Sequence, residues 1–144
     1  MGETDFSKFD KGIFLVNVLG IIYNPKLKKI LIGRREADPY VLKLSWGFPG
    51  GRPTYDREIE DSLKEEIKKK TGLEVEIKEI IFARITPEIK RKQILFYYYC
   101  ETEQEKAEAG EKFVEVKWIK PSEYRKYFKT SVHPKISKFL KSLK

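Results

Sequence analysis

The sequence predicts an α/β domain in which a mixed β-sheet lies between helices. Three observations carry this prediction. Ile13 to Tyr23 is a near-continuous apolar run, the pattern of a central strand buried on both faces. Arg57 to Thr71 places Ile59, Leu63, Ile67 and Lys70 on one helical stripe and stops at Gly72, a natural left-handed cap. His133-Pro134 opens a last helix whose Ile136, Phe139, Leu140 and Leu143 form an apolar face. At 144 residues the chain suits one domain, 1–144, with a real core, and no repeat or linker divides it.

The elements follow in order. Residues 1–12 are polar and read as a frayed end or a short edge. Asn24-Pro25-Lys26 is a turn signal, and Lys29 to Arg34 is a second strand, so the first pair reads as a hairpin. Glu36 to Lys43 is a loop. Trp46-Gly47-Phe48-Pro49-Gly50-Gly51 then predicts a tight turn whose backbone can approach a ligand. Such a turn feeding a helix can cradle an anion on its N–H groups. Leu73 to Thr86 alternates as a bent strand, with Val75, Ile77, Ile80, Phe82 and Ile85 apolar. Pro87 to Lys92 is a basic turn. Gln93 to Thr102 is a strand rich in β-formers, with Tyr98 on the opposite face from Tyr97 and Tyr99. After an acidic loop, Phe113 to Ile119 alternates, with Phe113, Glu115, Lys117 and Ile119 facing one way. Pro121-Ser122-Glu123 opens a helix through Phe128.

The formal charge of +8 favours anionic partners: nucleotides, nucleic acid or acidic surfaces. Lys and Glu are abundant while Asn, Gln, Cys and Met are scarce, the balance of proteins from hot environments, and that thermophile-like reading outweighs a nucleic-acid footprint. The single Cys100 excludes an internal disulfide and fits a reducing interior. No stretch is long and apolar enough for a membrane span, and the N-terminus has no signal-peptide pattern. A cytoplasmic location is expected.

Leu44-Ser45-Trp46-Gly47-Phe48-Pro49-Gly50-Gly51, followed by Ser62 to Ile67 and by Lys68-Lys69-Lys70-Thr71-Gly72-Leu73, resembles the Nudix family. Laid on the family's box without gaps, Gly51, Glu66, Ile67, Gly72 and Leu73 match. The glutamate after the first spacer is Arg57, the box arginine is Glu65, and the closing glutamate pair is Lys69 and Lys70. The resemblance implies a Nudix-like α/β/α sandwich whose ligand is a nucleoside diphosphate linked to another group. It also implies a helix that presents glutamates to Mg2+ or Mn2+. Positions 66, 69 and 70 share a helical face, which suits that role. A protonated lysine offers only donors, so Lys69 and Lys70 cannot ligate magnesium at neutral pH. Arg57 against Glu65 is a swapped pair that preserves attraction, and the loop-to-helix clasp is expected to survive.

The resemblance makes Glu66 the candidate metal contact and catalytic residue. It makes Glu111 the candidate further acid, ahead of Glu108 and Glu115. Arg34, Arg35, Phe48, Gly50, Gly51, Lys69 and Lys70 are the candidates for binding substrate. Lys69 and Lys70 can neutralise a diphosphate directly, replacing the cation with fixed charge. Each charge also fits a solvated surface, and each aromatic fits the core. Hydrolysis is therefore expected to be weak or lost, with Mg2+ or Mn2+ as cofactor if the protein is active and none if it is not. The alternative is a non-catalytic module binding a nucleotide or RNA on the same scaffold. His133 is expected to cap its helix, and Cys100 to be inert.

Overall fold

A computed structural model of the chain describes residues 13–35, 45–86, 92–129 and 132–143. The elements are β1 (Leu15–Asn24), β2 (Lys29–Arg35), β3 (Ser45–Gly47), β4 (Gly50–Gly51), α1 (Ile59–Thr71), β5 (Glu76–Thr86), β6 (Gln93–Glu101), β7 (Phe113–Ile119), a 3-10 turn (Pro121–Glu123), α2 (Tyr124–Tyr127) and α3 (Pro134–Ser142). The sheet runs β3-β2-β1-β6-β5, with β4 also paired to β1 and β7 to β2. β1 and β6 are parallel, and every other pairing is antiparallel. The mixed sheet and its two helical layers are those the sequence predicts. Residues 1–12, 36–44 and 87–91 lie outside the described residues, and with them the expected frayed end, the loop expected over Glu36 to Lys43 and most of the expected basic turn.

Each face of the sheet buries its own core. Val18, Ile22, Leu31, Tyr98 and Cys100 pack under Leu63 and Ile67 of α1. Ile21, Tyr23, Ile30, Ile32 and Ile119 pack under Tyr124, Ile136 and Leu140 on the opposite side. β1 feeds both, because successive residues point to opposite faces, which is why its sequence is apolar almost throughout. The hairpin turn is held by Asn24, whose Oδ1 accepts from the N–H groups of Lys26 at 2.9 Å and Leu27 at 3.2 Å. His133 caps α3 as expected, its Nδ1 accepting from the Lys135 N–H at 3.1 Å.

Three local features differ from the sequence reading. Gly50 and Gly51 do not form a tight turn: they extend as a two-residue strand along Val18 and Leu19 of β1. The glycine is needed for backbone approach, since a Cβ on Gly50 would lie 2.0 Å from the Val18 carbonyl oxygen. The alternation of β7 also breaks. A bulge pairs Arg34 with Glu115 but Arg35 with Phe113, which leaves Val114 half-exposed and rolls Phe113 onto the α1 face above Gly33. The helix expected through Phe128 is a 3-10 turn followed by one α-helical turn. The register of β5 against β6 shifts between Ile77 and Glu79 and between Ile80 and Phe82, irregularities of the kind that bend a strand. No helix among the described residues is long and apolar enough to cross a membrane.

Two outcomes follow from this packing. Gly50→Ala is expected to cost about 3 kcal/mol, whereas Gly47→Ala, which meets nothing within 4 Å, should stay within about 0.5 kcal/mol. Urea unfolding midpoints at unchanged slope check both. Cys100 is fully buried, and burial pushes its thiol up to about 12. The native protein should therefore resist a thiol reagent at pH 8 and react once unfolded, read by the released chromophore.

Candidate functional site

The site is built where β4 meets α1. The Lys70 ammonium donates to the Gly50 carbonyl oxygen and lies 3.3 Å from Glu66 Oε2, one helical turn away. The Lys70 side chain is only 9% exposed and that of Glu66 23%. Burial pulls the lysine below its usual range; Glu66 opposes this, and the positive charges of Arg35 and Lys112 add to it. Gly51 gives the Glu66 carboxylate room: a Cβ there would sit 2.8 Å from its carbon and from Oε2. Lys70 belongs to the buried stripe of α1 with Leu63 and Ile67, so the helix carries its charge inward.

The neighbouring pair behaves differently. Arg57 forms a salt bridge with Glu65, and Lys69 Nζ lies 3.2 Å from Glu65 Oε1. The swapped clasp is thus present, joining the loop to the helix. Lys69 is about half-exposed and engaged with Glu65, while Lys70 alone is drawn to the glycine strand. The loop itself is tied down by the Thr54 N–H, which donates to Ser62 Oγ at 3.2 Å.

The segment before β7 closes the other end. The N–H groups of Glu108 and Gly110 donate to the carbonyls of Thr71 and Lys70, both at 2.9 Å, and the Gly72 N–H donates to Lys68. These bonds satisfy helix-terminal carbonyls that lack intrahelical partners. Gly110 must be glycine, because a Cβ would lie 2.1 Å from the Lys69 carbonyl oxygen. Glu111, exposed, and Lys112, in a left-handed conformation at φ 64°, are carried to the helix end with it.

Arg34 and Arg35 part at the β2–β7 bulge. Arg35 lies over the Phe113 ring at 6.0 Å on the α1 face. Arg34 turns to the other face, 3.1 Å from Glu115 and 5.9 Å from the Trp46 ring centre. Phe48 also lies there, buried against Phe128 at 5.0 Å and Tyr97 at 6.4 Å. Its partners are protein rings. The structure therefore brings together Gly50, Gly51, Glu66, Lys70 and Arg35, and separates Phe48 and Arg34 from them. Lys112 is the residue that sequence reasoning missed; the glycine interrupting the acidic loop at Gly110 was its signal.

Oxygen donors suit magnesium, which binds through carboxylates and phosphates. Among the described residues no three His, Cys, Asp or Glu side chains converge as a metal-binding group. Beside Glu66 stands an ammonium, which has no lone pair to give. These residues do not fit a magnesium ion. The glutamates that do gather, Glu74, Glu76, Glu101 and Glu103, line a separate cavity and are paired with Lys68, Lys78 and Lys26.

The family model described as the NUDIX domain matches residues 14–143. The chain belongs to the Nudix family. Solved Nudix structures share its fold. A Nudix hydrolase from Nitrosomonas europaea superposes with a TM-score of 0.74 at 18% identity, over 90% of this chain and 72% of that one. The MutT protein from Methanosarcina mazei Go1 gives 0.73 at 15% identity, over 89% and 93%. The Nudix domain of Shewanella oneidensis NrtR, complexed with ADP ribose, gives 0.66 at 15% identity, over 84% of each chain. At these identities the likeness is one of fold. No curated protein matches the chain in sequence. Nudix hydrolases generally use divalent metal ions, so the ammonium in this Nudix chain is the feature to explain.

Because Arg57 and Glu65 are about 40% exposed, a double-mutant cycle with Arg57→Gln and Glu65→Gln should give a coupling of about 0.3–1 kcal/mol. Thermal unfolding at low and high salt checks it, the coupling shrinking as salt rises.

Proposed function

We propose that this chain binds a nucleoside diphosphate linked to another group, at the junction of β4 and α1, and hydrolyses it weakly or not at all. The observation that carries the reading is the Lys70 ammonium seated between the Gly50 carbonyl and Glu66. The Nudix box of this chain thus keeps its frame and loses its carboxylates: Glu66 remains, and Lys69 and Lys70 stand at the closing positions. Without a bound cation there is no Lewis acid to stabilise charge on phosphorus and no metal-activated water. What the residues still do is bind. Lys70 donates hydrogen bonds, Arg35 offers a planar fork suited to phosphate oxygens, and Gly51 leaves the strand open beside Glu66. ADP ribose in the NrtR domain supports a ligand of this class.

The test is a panel of ADP-ribose, dinucleoside polyphosphates, nucleotide sugars and nucleoside triphosphates, followed by thermal shift and product release. One class should stabilise the chain by about 2.7 kcal/mol at a hundredfold excess over Kd, a rise of roughly 8 °C for a domain of this size. Product release should stay near background with magnesium or manganese. Robust metal-dependent turnover would overturn the second half of the reading, and Glu66→Gln and Glu111→Gln would then locate the acids. An RNA that binds where no nucleotide does, with affinity falling steeply in salt, would overturn the first.

A further inference from the structure

We propose that the layer formed by α2 and α3 is a second binding surface, apart from the β4–α1 junction, and that it holds a nucleic acid by its phosphate backbone. The inference stands independently of the ligand proposed above. It starts from where the charge lies. The formal charge is +8, and residues 124–144 hold seven Lys and Arg with no Asp or Glu. That stretch therefore accounts for +7, while residues 1–123 hold 23 Lys and Arg against 22 Asp and Glu. The balance of Lys and Glu expected of a heat-adapted surface belongs to the first part alone.

The cations of α3 are not placed for the stability of the helix. Lys135, Lys138 and Lys141 follow at intervals of three and are all exposed, and like charges that neighbour one another on a helix repel. Lys135 stands in a first turn that holds no acid, against the positive end of the macrodipole. α1 obeys the opposite rule, with Glu60 and Asp61 in its first turn and Lys68, Lys69 and Lys70 in its last. A bound polyanion would relieve both costs in α3.

Side-chain bonds join α2 to this row. Arg125 Nε donates to Tyr124 Oη at 2.9 Å, and that hydroxyl donates to Ser137 Oγ at 2.8 Å. Ser137 lies one turn before Lys141 on the same side of α3, so Arg125 extends the row of lysines. At the other end, Lys135 Nζ sits 5.0 Å from the centre of the Phe82 ring, over β5. The carboxylates beside the layer are engaged elsewhere. Glu115 lies 3.1 Å from Arg34, and Glu76 and Glu101 share Lys78 at 3.1 Å and 3.6 Å. Glu123 lies 3.4 Å from Lys126. Glu79, opposite Tyr99 in the register, forms no ion pair among the described residues. Lys117 and Lys120, from the neighbouring β7 and turn, offset these last two acids, so the layer keeps its excess.

The chemistry selects the partner. A helix that enters a membrane surface offers apolar side chains beside its lysines. α3 has turned its own into the core, with Ile136 and Leu140 each 1% exposed, and no large hydrophobic residue of the layer is exposed among the described residues. Lysines without apolar anchors fit phosphates spaced along a strand. Five of the six described cations of residues 124–143 are Lys, which meets phosphate as a point charge and lacks the fork that reads guanine. The contact is therefore with the backbone and carries no sequence preference.

The experiment titrates the full chain into a labelled single-stranded RNA of mixed sequence and reads fluorescence anisotropy between about 50 and 200 mM salt. Log affinity should fall against log salt with a slope of about −3, the value for about four phosphates on a single strand. Lys135→Gln, Lys138→Gln and Lys141→Gln together should reduce that slope by about 2 and weaken binding by roughly tenfold or more at the lowest salt. Arginine at the same three positions should keep it. Lys26→Gln, Lys68→Gln and Lys106→Gln together remove the same charge elsewhere and should change affinity by less than about twofold, since salt screens distant charges. A duplex DNA of equal length is run beside the RNA; binding of either supports the inference, and their ratio tells which form the layer prefers. Equal loss in the two triple glutamine variants would assign the binding to net charge and overturn the inference. So would undiminished binding in the α3 variant, no binding of either nucleic acid at the lowest salt, or capture by phosphatidylserine vesicles with none by nucleic acid.

Discussion

The contact between the Lys70 ammonium and the Gly50 carbonyl sets how the helix meets the sheet. A charge taken out of water is costly unless partners surround it. Here the partners come from two elements: a carbonyl from β4 and a carboxylate from α1 itself. β4 offers that carbonyl only because Gly50, lacking a Cβ, lies flat against β1. The same lysine's backbone carbonyl accepts from Gly110, so the turn before β7 is fixed to the helix at the same residue. Strand, helix and turn therefore meet at one side chain and its own peptide group.

The helix contains the same i, i+4 pattern twice in adjacent registers, Glu65 with Lys69 and Glu66 with Lys70. Identical residue pairs have different consequences because they face different solvents. The first is about half-exposed, shared with Arg57 and screened by water, so its worth is small. The second is buried, and its lysine is drawn onto a backbone carbonyl. Water content, not residue type, separates a surface pair from a site.

Much of the architecture was legible in the sequence because it is local. The apolar run of β1, the Gly72 stop of α1, the His133 cap and the opposed faces of Tyr97 and Tyr98 are properties of neighbouring residues. The Arg57–Glu65 clasp was legible because two charges had exchanged places. What escaped depends on pairing between distant segments. The bulge that rolls Phe113 over belongs to β2 and β7 together and leaves no trace in the alternation of either. The extension of Gly50–Gly51 is dictated by β1 beneath them, and the approach of Lys112 by a turn that α1 anchors. Phe48 was ambiguous for a simpler reason: an aromatic ring suits a ligand and a core equally, and only its neighbours decide.

The parallel pairing of β1 with β6 also constrains how the chain is made. Asn17 and Gln93, which share a hydrogen bond across these strands, are 76 residues apart. The most apolar segment is therefore synthesised well before its central partner and must wait for it. Until then its cover comes from segments that precede β6: β2, β4 and α1. Long-range pairing of this kind is slow and leaves strand edges open to other chains. Charged residues make up 36% of the chain, and charge is one of the means by which open strand edges are kept from pairing with another chain.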